Sequence, residues 1–155
     1  MREHARPSFD GLRWVTAEQW HITLGFFGDL DAAASAAVSS VAADVAAAIA
    51  RPTLTLGPRT QRLGRDGTLV IPAVGADPLV DVLDEALAGI VPPRRAPFSG
   101  HLTLARTRRR FELPHEVLDV SVEATFAPMA IYLFDSEPGP TGSVYEVRSR
   151  APFAS

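Results

Sequence analysis

The tetrad His21-Ile22-Thr23-Leu24 returns later in the chain as His101-Leu102-Thr103-Leu104. A β-strand sends alternate side chains to opposite faces. Each copy therefore sets an imidazole and a hydroxyl side by side and turns an apolar pair the other way. A His–Thr face has to meet solvent, a cavity or its own counterpart, because burying an unpaired polar group costs roughly 2–7 kcal/mol. The fold must build two half-polar strands into an apolar core and leave room for both polar faces. Only four histidines occur in the 155 residues, and two of them stand in these tetrads. Brought together, the two faces make a small cavity with two acid–base groups and two hydroxyl donors.

Around the first tetrad, Trp20 to Phe27 reads as a strand with His21, Thr23 and Gly25 on one face and Ile22, Leu24 and Phe26 on the other. Before it, Pro7, Ser8, Asp10 and Gly11 signal loop, and Leu12-Arg13-Trp14-Val15 a short extended piece. Asp29 or Asp31 can cap an alanine-rich helix reaching about Ala50, with Val38, Val41, Val45 and Ile49 as a narrow apolar stripe. Thr53 to Leu56 and Thr68 to Ile71 read as strands, with an irregular edge or turn between them. Asp77-Pro78 supplies a cap and a proline for a second helix that buries Leu79, Val82, Leu83, Ala86, Leu87 and Ile90. Beyond the second tetrad, Pro114 to Leu118 allows one helical turn. Val120 to Phe126, Met129 to Phe134 and Ser143 to Val147 read as strands, the last two joined by the loop Pro138-Gly139-Pro140-Thr141-Gly142. The order predicts a single α+β domain over residues 1–155, with mostly antiparallel sheets and a pseudo-repeat beginning at each tetrad.

Composition narrows the chemistry. Cysteine is absent, which removes disulfides, thiolate nucleophiles and cysteine metal sites. All 15 basic residues are arginine. Without lysine there is no lysyl Schiff base, no lysine-adenylate and no P-loop lysine, so P-loop kinases and adenylating ligases are excluded. The net charge of −3 argues against a general nucleic-acid coat protein. Six arginines, Arg94, Arg95, Arg106, Arg108, Arg109 and Arg110, nevertheless flank the second tetrad. Such a run can be a plain solvated face; beside His101 it also forms an anion-attracting rim, since arginine stays charged and binds phosphate through paired donors. No apolar run is long enough to cross a bilayer, and the first six residues hold no apolar signal core. A cytoplasmic location without membrane attachment is expected.

Zinc sites take three or four protein ligands, and neither tetrad has a His, Asp or Glu two or four positions on, so Asp29 or Glu146 would have to help from a distance. No G-x-S-x-G elbow is present for a serine nucleophile. Two histidines without metal or cofactor suit phosphoryl transfer. One neutral imidazole takes a proton from water, and the other, as imidazolium, gives one to the departing oxygen. The threonine hydroxyls stabilise charge on the non-bridging oxygens. A strained cyclic phosphate fits such a site, because its leaving oxygen stays tethered. Trp14, Phe26, Phe98, Tyr132 and Tyr145 could include a base-stacking ring, although core packing accounts for each more simply. His4 and His115 receive no role.

With Phe26-Phe27-Gly28 after it, the first tetrad resembles the HxTLxFxG signature of the 2H phosphoesterase superfamily. Phe98-Ser99-Gly100-His101-Leu102-Thr103-Leu104-Ala105-Arg106 resembles the second signature. Within the superfamily the chain is similar to the bacterial and archaeal RNA 2′,3′-cyclic phosphodiesterases, also called 2′-5′ RNA ligases, from about Leu12 to Phe153. The resemblance implies a two-lobed, pseudo-symmetric fold, with motifs at 21–24 and 101–104 and a groove between the lobes. It implies cofactor-free opening of an RNA-terminal 2′,3′-cyclic phosphate to a 2′-phosphate. By position it implies His21 and His101 as the catalytic pair and Thr23, Thr103 and Arg106 as phosphate or substrate contacts. His21 is assigned as the acid toward the 3′ oxygen and His101 as the base, the reverse being equally consistent with the sequence. Arg106 stands at an odd offset from His101 and joins the site only if the strand bends or ends near Ala105.

The strand and helix that precede the first motif in that family are missing before His21. A sheet short of a strand exposes unpaired backbone. Either the true start lies upstream, another element or a second chain covers the gap, or the domain is destabilised. An upstream start is the hypothesis, and a monomer is expected unless a truly short N-terminus calls for a second chain. Two rival readings remain open: a cyclic phosphodiesterase on small nucleotides, and a catalytically lapsed module that binds RNA ends.

Overall fold

The structure is a computed structural model and describes residues 9–65, 67–107, 111–139 and 142–154. His4, the run Arg108 to Arg110, and Pro140 and Thr141 of the expected loop lie outside the described residues. Two compact units are present, each assembled from three separate segments. The first takes residues 1–23, 55–74 and 99–125, and the second 24–54, 75–98 and 126–155. His21 to Thr23 and the whole second tetrad fall in the first unit.

The first unit is built on a curled sheet of β1 (Leu12–Trp14), β2 (Leu54–Leu56), β3 (Gln61–Leu63), β4 (Thr68–Val74), β5 (His101–Thr107) and β6 (Ala124–Phe126). The order is β1-β5-β4-β2-β6, with β3 also pairing to β4. The pairings β1–β5, β2–β4, β3–β4 and β4–β5 are antiparallel. In β4, Leu69, Val70 and Ile71 are all buried, so this strand is covered on both faces. One apolar cluster gathers Leu56, Ile71, Ala73 and Leu102, with Ile22, Leu104 and Val122 against it. A second gathers Leu69, Ala105, Leu113 and Val117, with Leu12, Trp14 and Leu104 against it. Buried Thr60 ties the chain after β5 to the sheet. Its hydroxyl donates to the Val117 carbonyl at 2.7 Å and accepts from the Val120 amide at 3.0 Å.

The second unit packs α1 (Ala32–Ala48) and α2 (Asp77–Ala86) with the ribbon of β7 (Ala130–Gly139) and β8 (Gly142–Pro152). Asp31 caps α1, accepting a bond from the Ala34 amide at 2.8 Å. Val38, Ala42, Val45 and Ala46 are its buried face, and the small alanines let it lie close on the ribbon. Leu79 and Leu83 of α2, with Leu87, Ile131 and Phe153, complete this core. No helix among the described residues is long and apolar enough to cross a membrane.

Mostly antiparallel sheets with two helices are what the sequence predicts, but several local expectations are corrected. Trp20 to Phe27 is not a strand: only Ile22 makes a β-bridge, and Phe26 is 85% exposed rather than buried. Ala76, not Asp77, is the N-cap of α2, and Val82 points outward. Of the alternating stretch from Val120, only Ala124–Phe126 forms a strand. Asp119, with φ of 59°, turns the chain just before Val120.

Candidate active site

The faces of β5 follow from its register with β4. Pro72, Ile71 and Val70 pair with His101, Leu102 and Thr103; then Leu69 pairs with Ala105 and Thr68 with Arg106. Leu104 is the extra residue of a β-bulge. Directly paired side chains share a face, so the alternation along β4 assigns those of β5. Leu102 goes with Ile71, and Ala105 with Leu69, into the apolar clusters, and Leu104 packs into both. His101, Thr103 and Arg106 go with Pro72, Val70 and Thr68 to the opposite face. The bulge thus absorbs the odd offset that would have turned Arg106 away.

The other edge of β5 carries the N-terminal segment. Leu12, Arg13 and Trp14 pair with Thr107, Arg106 and Ala105. Gly11, at φ 93°, turns the chain into β1 where a side chain would strike the Phe111 ring. The Val15 amide then donates to the Leu104 carbonyl at 2.8 Å. From there the chain leaves the edge through a 3₁₀ turn, Ala17–Gln19, and returns at Ile22 as a single antiparallel bridge to Leu102. Ile22 packs into the same cluster as Leu102. One step to either side of that bridge, His21 stands across from Thr103 and Thr23 across from His101. Each histidine faces the threonine of the other copy. The two histidines occupy diagonal positions, about 7–8 Å apart at the backbone.

Both rings are held in the same way. The His21 Nδ1–H donates to the Gln19 carbonyl, and the His101 Nδ1–H to the Ser99 carbonyl, each at 2.8 Å. A carbonyl oxygen only accepts, so each neutral ring carries its proton on Nδ1. Nε2 is then the nitrogen of each ring whose lone pair can take up a proton. Both histidines are half-buried, Thr103 likewise, and Thr23 and Arg106 are exposed. The arrangement offers two oriented imidazoles, two hydroxyls and a guanidinium on one face of one strand and its edge partner. Among the described residues no three His, Asp or Glu side chains cluster closely enough to hold a metal ion.

The other residues singled out from the sequence have these surroundings within their own units. Arg94, in the second unit, is bound to Asp84 through Nε and Nη2 at 2.8 Å each and to the Leu24 carbonyl at 2.8 Å. The Asp84 hydrogen bonds raise its pKa. It also lies over the Phe98 ring, 5.7 Å from the centroid. Trp14 packs into the first unit's core. Tyr132, Phe134 and Tyr145 form a ring cluster on the β7–β8 ribbon, with Tyr132 stacked on Phe134 at 5.7 Å. His115 opens a short 3₁₀ turn on the surface. Arg13, given no role from the sequence, is the polar member of the alternating Leu-Arg-Trp-Val piece and pairs with Arg106.

A family model described as LigT-like phosphoesterase matches residues 1–58, which include the first HxT. No curated protein matches the chain in sequence at a significant level. Among solved structures, TT0787 of Thermus thermophilus superposes with a TM-score of 0.78 at 24% identity, over 94% of this chain and 84% of that one. E. coli LigT in apo form gives 0.66 at 22% identity, over 94% and 83%. The MHV ns2 PDE domain gives 0.58 at 17% identity, over 76% and 69%. The chain therefore has the fold of the LigT-like phosphoesterases of the 2H superfamily, and that family's model covers its first HxT segment.

Proposed function

We propose that the protein is a metal-independent cyclic phosphodiesterase that opens the 2′,3′-cyclic phosphate of an RNA end to a 2′-phosphate, with His21 and His101 as its acid–base pair. The observation that carries this reading is the matched pair of Nδ1–H bonds to backbone carbonyls, which gives both rings the same tautomer. Water attacks phosphorus while the neutral ring, His101, accepts its proton at Nε2. The bond from phosphorus to the 3′ oxygen breaks, and the imidazolium, His21, delivers its Nε2 proton to that oxygen. The products are a 2′-phosphomonoester and a 3′-hydroxyl, and solvent resets the two protonation states. Thr23 and Thr103, each beside the opposite histidine, donate to the non-bridging oxygens, and Arg106 adds positive charge on the same face. A cytoplasmic site of action and a monomer accord with this reading.

RNA is chosen as the substrate by likeness to the LigT-like family. Structures of E. coli LigT complexed with 3′-AMP and with ATP favour a second reading, in which the substrate is a small cyclic nucleotide. Competition between a mononucleoside cyclic phosphate and an RNA end for the same enzyme separates the two. The experiment for the main reading is turnover of an oligonucleotide ending in 2′,3′-cyclic phosphate, with EDTA present. His21→Ala and His101→Ala should each lower kcat roughly 10²–10⁴-fold with the fold retained. Salt-sensitive binding without turnover by the folded wild type would instead identify a lapsed RNA-end binder.

A further inference from the structure

We infer that Arg13 and Arg106 form a second anion subsite, which takes the phosphodiester on the 5′ side of the terminal nucleotide. Such a site would select an RNA chain end over a mononucleoside cyclic phosphate. This rests on the reading that the histidine face holds the terminal phosphate.

The two arginines are directly paired across β1 and β5. Val15 and Leu104 are a hydrogen-bonded pair, and such pairs alternate along an antiparallel ladder. Arg13 and Arg106 are therefore the next hydrogen-bonded pair, with Cα atoms about 5.5 Å apart. Leu12 and Trp14 turn into the core beside Ala105, which leaves Arg13 on the outer face with Arg106. Both arginines are exposed. The bulge at Leu104 makes this the face that carries His101 and Thr103.

Like charges directly opposite on a sheet repel. Several other arginines are held by protein acceptors. Arg59, Arg94 and Arg148 pair with carboxylates, and Arg51 and Arg62 bond to carbonyls. Among the described residues neither Arg13 nor Arg106 has such a partner. Two adjacent guanidiniums without a carboxylate suit a phosphate, which both can grip through paired donors. Their place fits the neighbouring phosphate of a chain. By strand rise the pair starts roughly 10 Å along β5 from Thr103 at the backbone, and long side chains can reach back toward the histidines.

The test is equilibrium binding of two product-like ligands across a salt series: a mononucleoside 2′-phosphate, and a dinucleotide ending in the same 2′-phosphate. Wild type should bind the dinucleotide more tightly and with a salt slope steeper by about 0.7. Arg13→Gln should cut the dinucleotide-to-mononucleotide affinity ratio about tenfold and remove the extra slope. Arg13→Lys should keep the slope while losing part of the ratio, because it keeps the charge but not the two-donor grip. The melting temperature of Arg13→Gln should be equal to or above that of wild type, since a like-charge contact is relieved. An affinity ratio unchanged in Arg13→Gln, or no binding of the dinucleotide by wild type, overturns the subsite. Because the readout is binding, absence of turnover would contradict the cyclic phosphodiesterase reading without deciding this one.

Discussion

His21 and His101 differ in what surrounds them, yet each bonds through Nδ1 to the carbonyl two residues before it. The control of tautomer is local to each tetrad. It predicts that a long-range ¹H–¹⁵N spectrum, recorded where both rings are neutral, shows Nε2 as the unprotonated nitrogen in both. An Nε2–H signal from either ring would remove the proposed acid–base nitrogen. The threonines make a parallel prediction: Thr23→Val and Thr103→Val remove only a hydroxyl, and each should lower kcat by up to about 10²–10³ with little change in stability. The repetition of the tetrad made these four residues legible in the sequence. The tautomer was not, because the acceptors are backbone carbonyls that no residue identity encodes. The face of Arg106 was hidden too: it depends on a bulge at Leu104, which only the pairing partner reveals.

Among the elements, those whose signals are local agree best with the sequence. Asp31 caps α1 and Val38 and Val45 are buried as the periodicity predicts, because a helix satisfies its own backbone. Strands need partners, and there the pattern misleads. Trp20 to Phe27 has the composition of a strand, but only Ile22 meets the edge of β5, and Gly28 at φ 69° ends the extended stretch. Val120 to Phe126 alternates convincingly, yet Thr60 captures the Val120 amide, Ser121 makes only a single bridge to Arg59, and only the last three residues form a strand. Thr60 therefore anchors an element that alternation alone would place elsewhere. Thr60→Val keeps the shape but loses the bond to the Val117 carbonyl and leaves the Val120 amide without its acceptor. It should cost about 1–3 kcal/mol, read as a lowered midpoint in urea with the slope unchanged. A loss below a few tenths of a kcal/mol would mean that water replaces the hydroxyl there.

At the scale of the whole molecule, the α+β class with mostly antiparallel sheets was legible from the order of elements. Two lobes were expected from the family resemblance alone; which segments make up each unit was not legible, since each collects pieces from across the chain. Long-range association of this kind is decided by which apolar faces meet, and similar valine and leucine patterns serve both units equally well. What the fold does for the proposed chemistry is specific: β5 is the strand on which both tetrads converge, one lying in it and the other bridging its edge. The most direct measurement is ³¹P NMR of an RNA oligonucleotide ending in 2′,3′-cyclic phosphate, incubated with the protein in EDTA. The cyclic phosphate signal should give way to that of a 2′-phosphomonoester with wild type and persist with His21→Ala and His101→Ala. A 3′-phosphate product, a signal that persists with folded wild type, or conversion at the wild-type rate by either variant would contradict the proposed function.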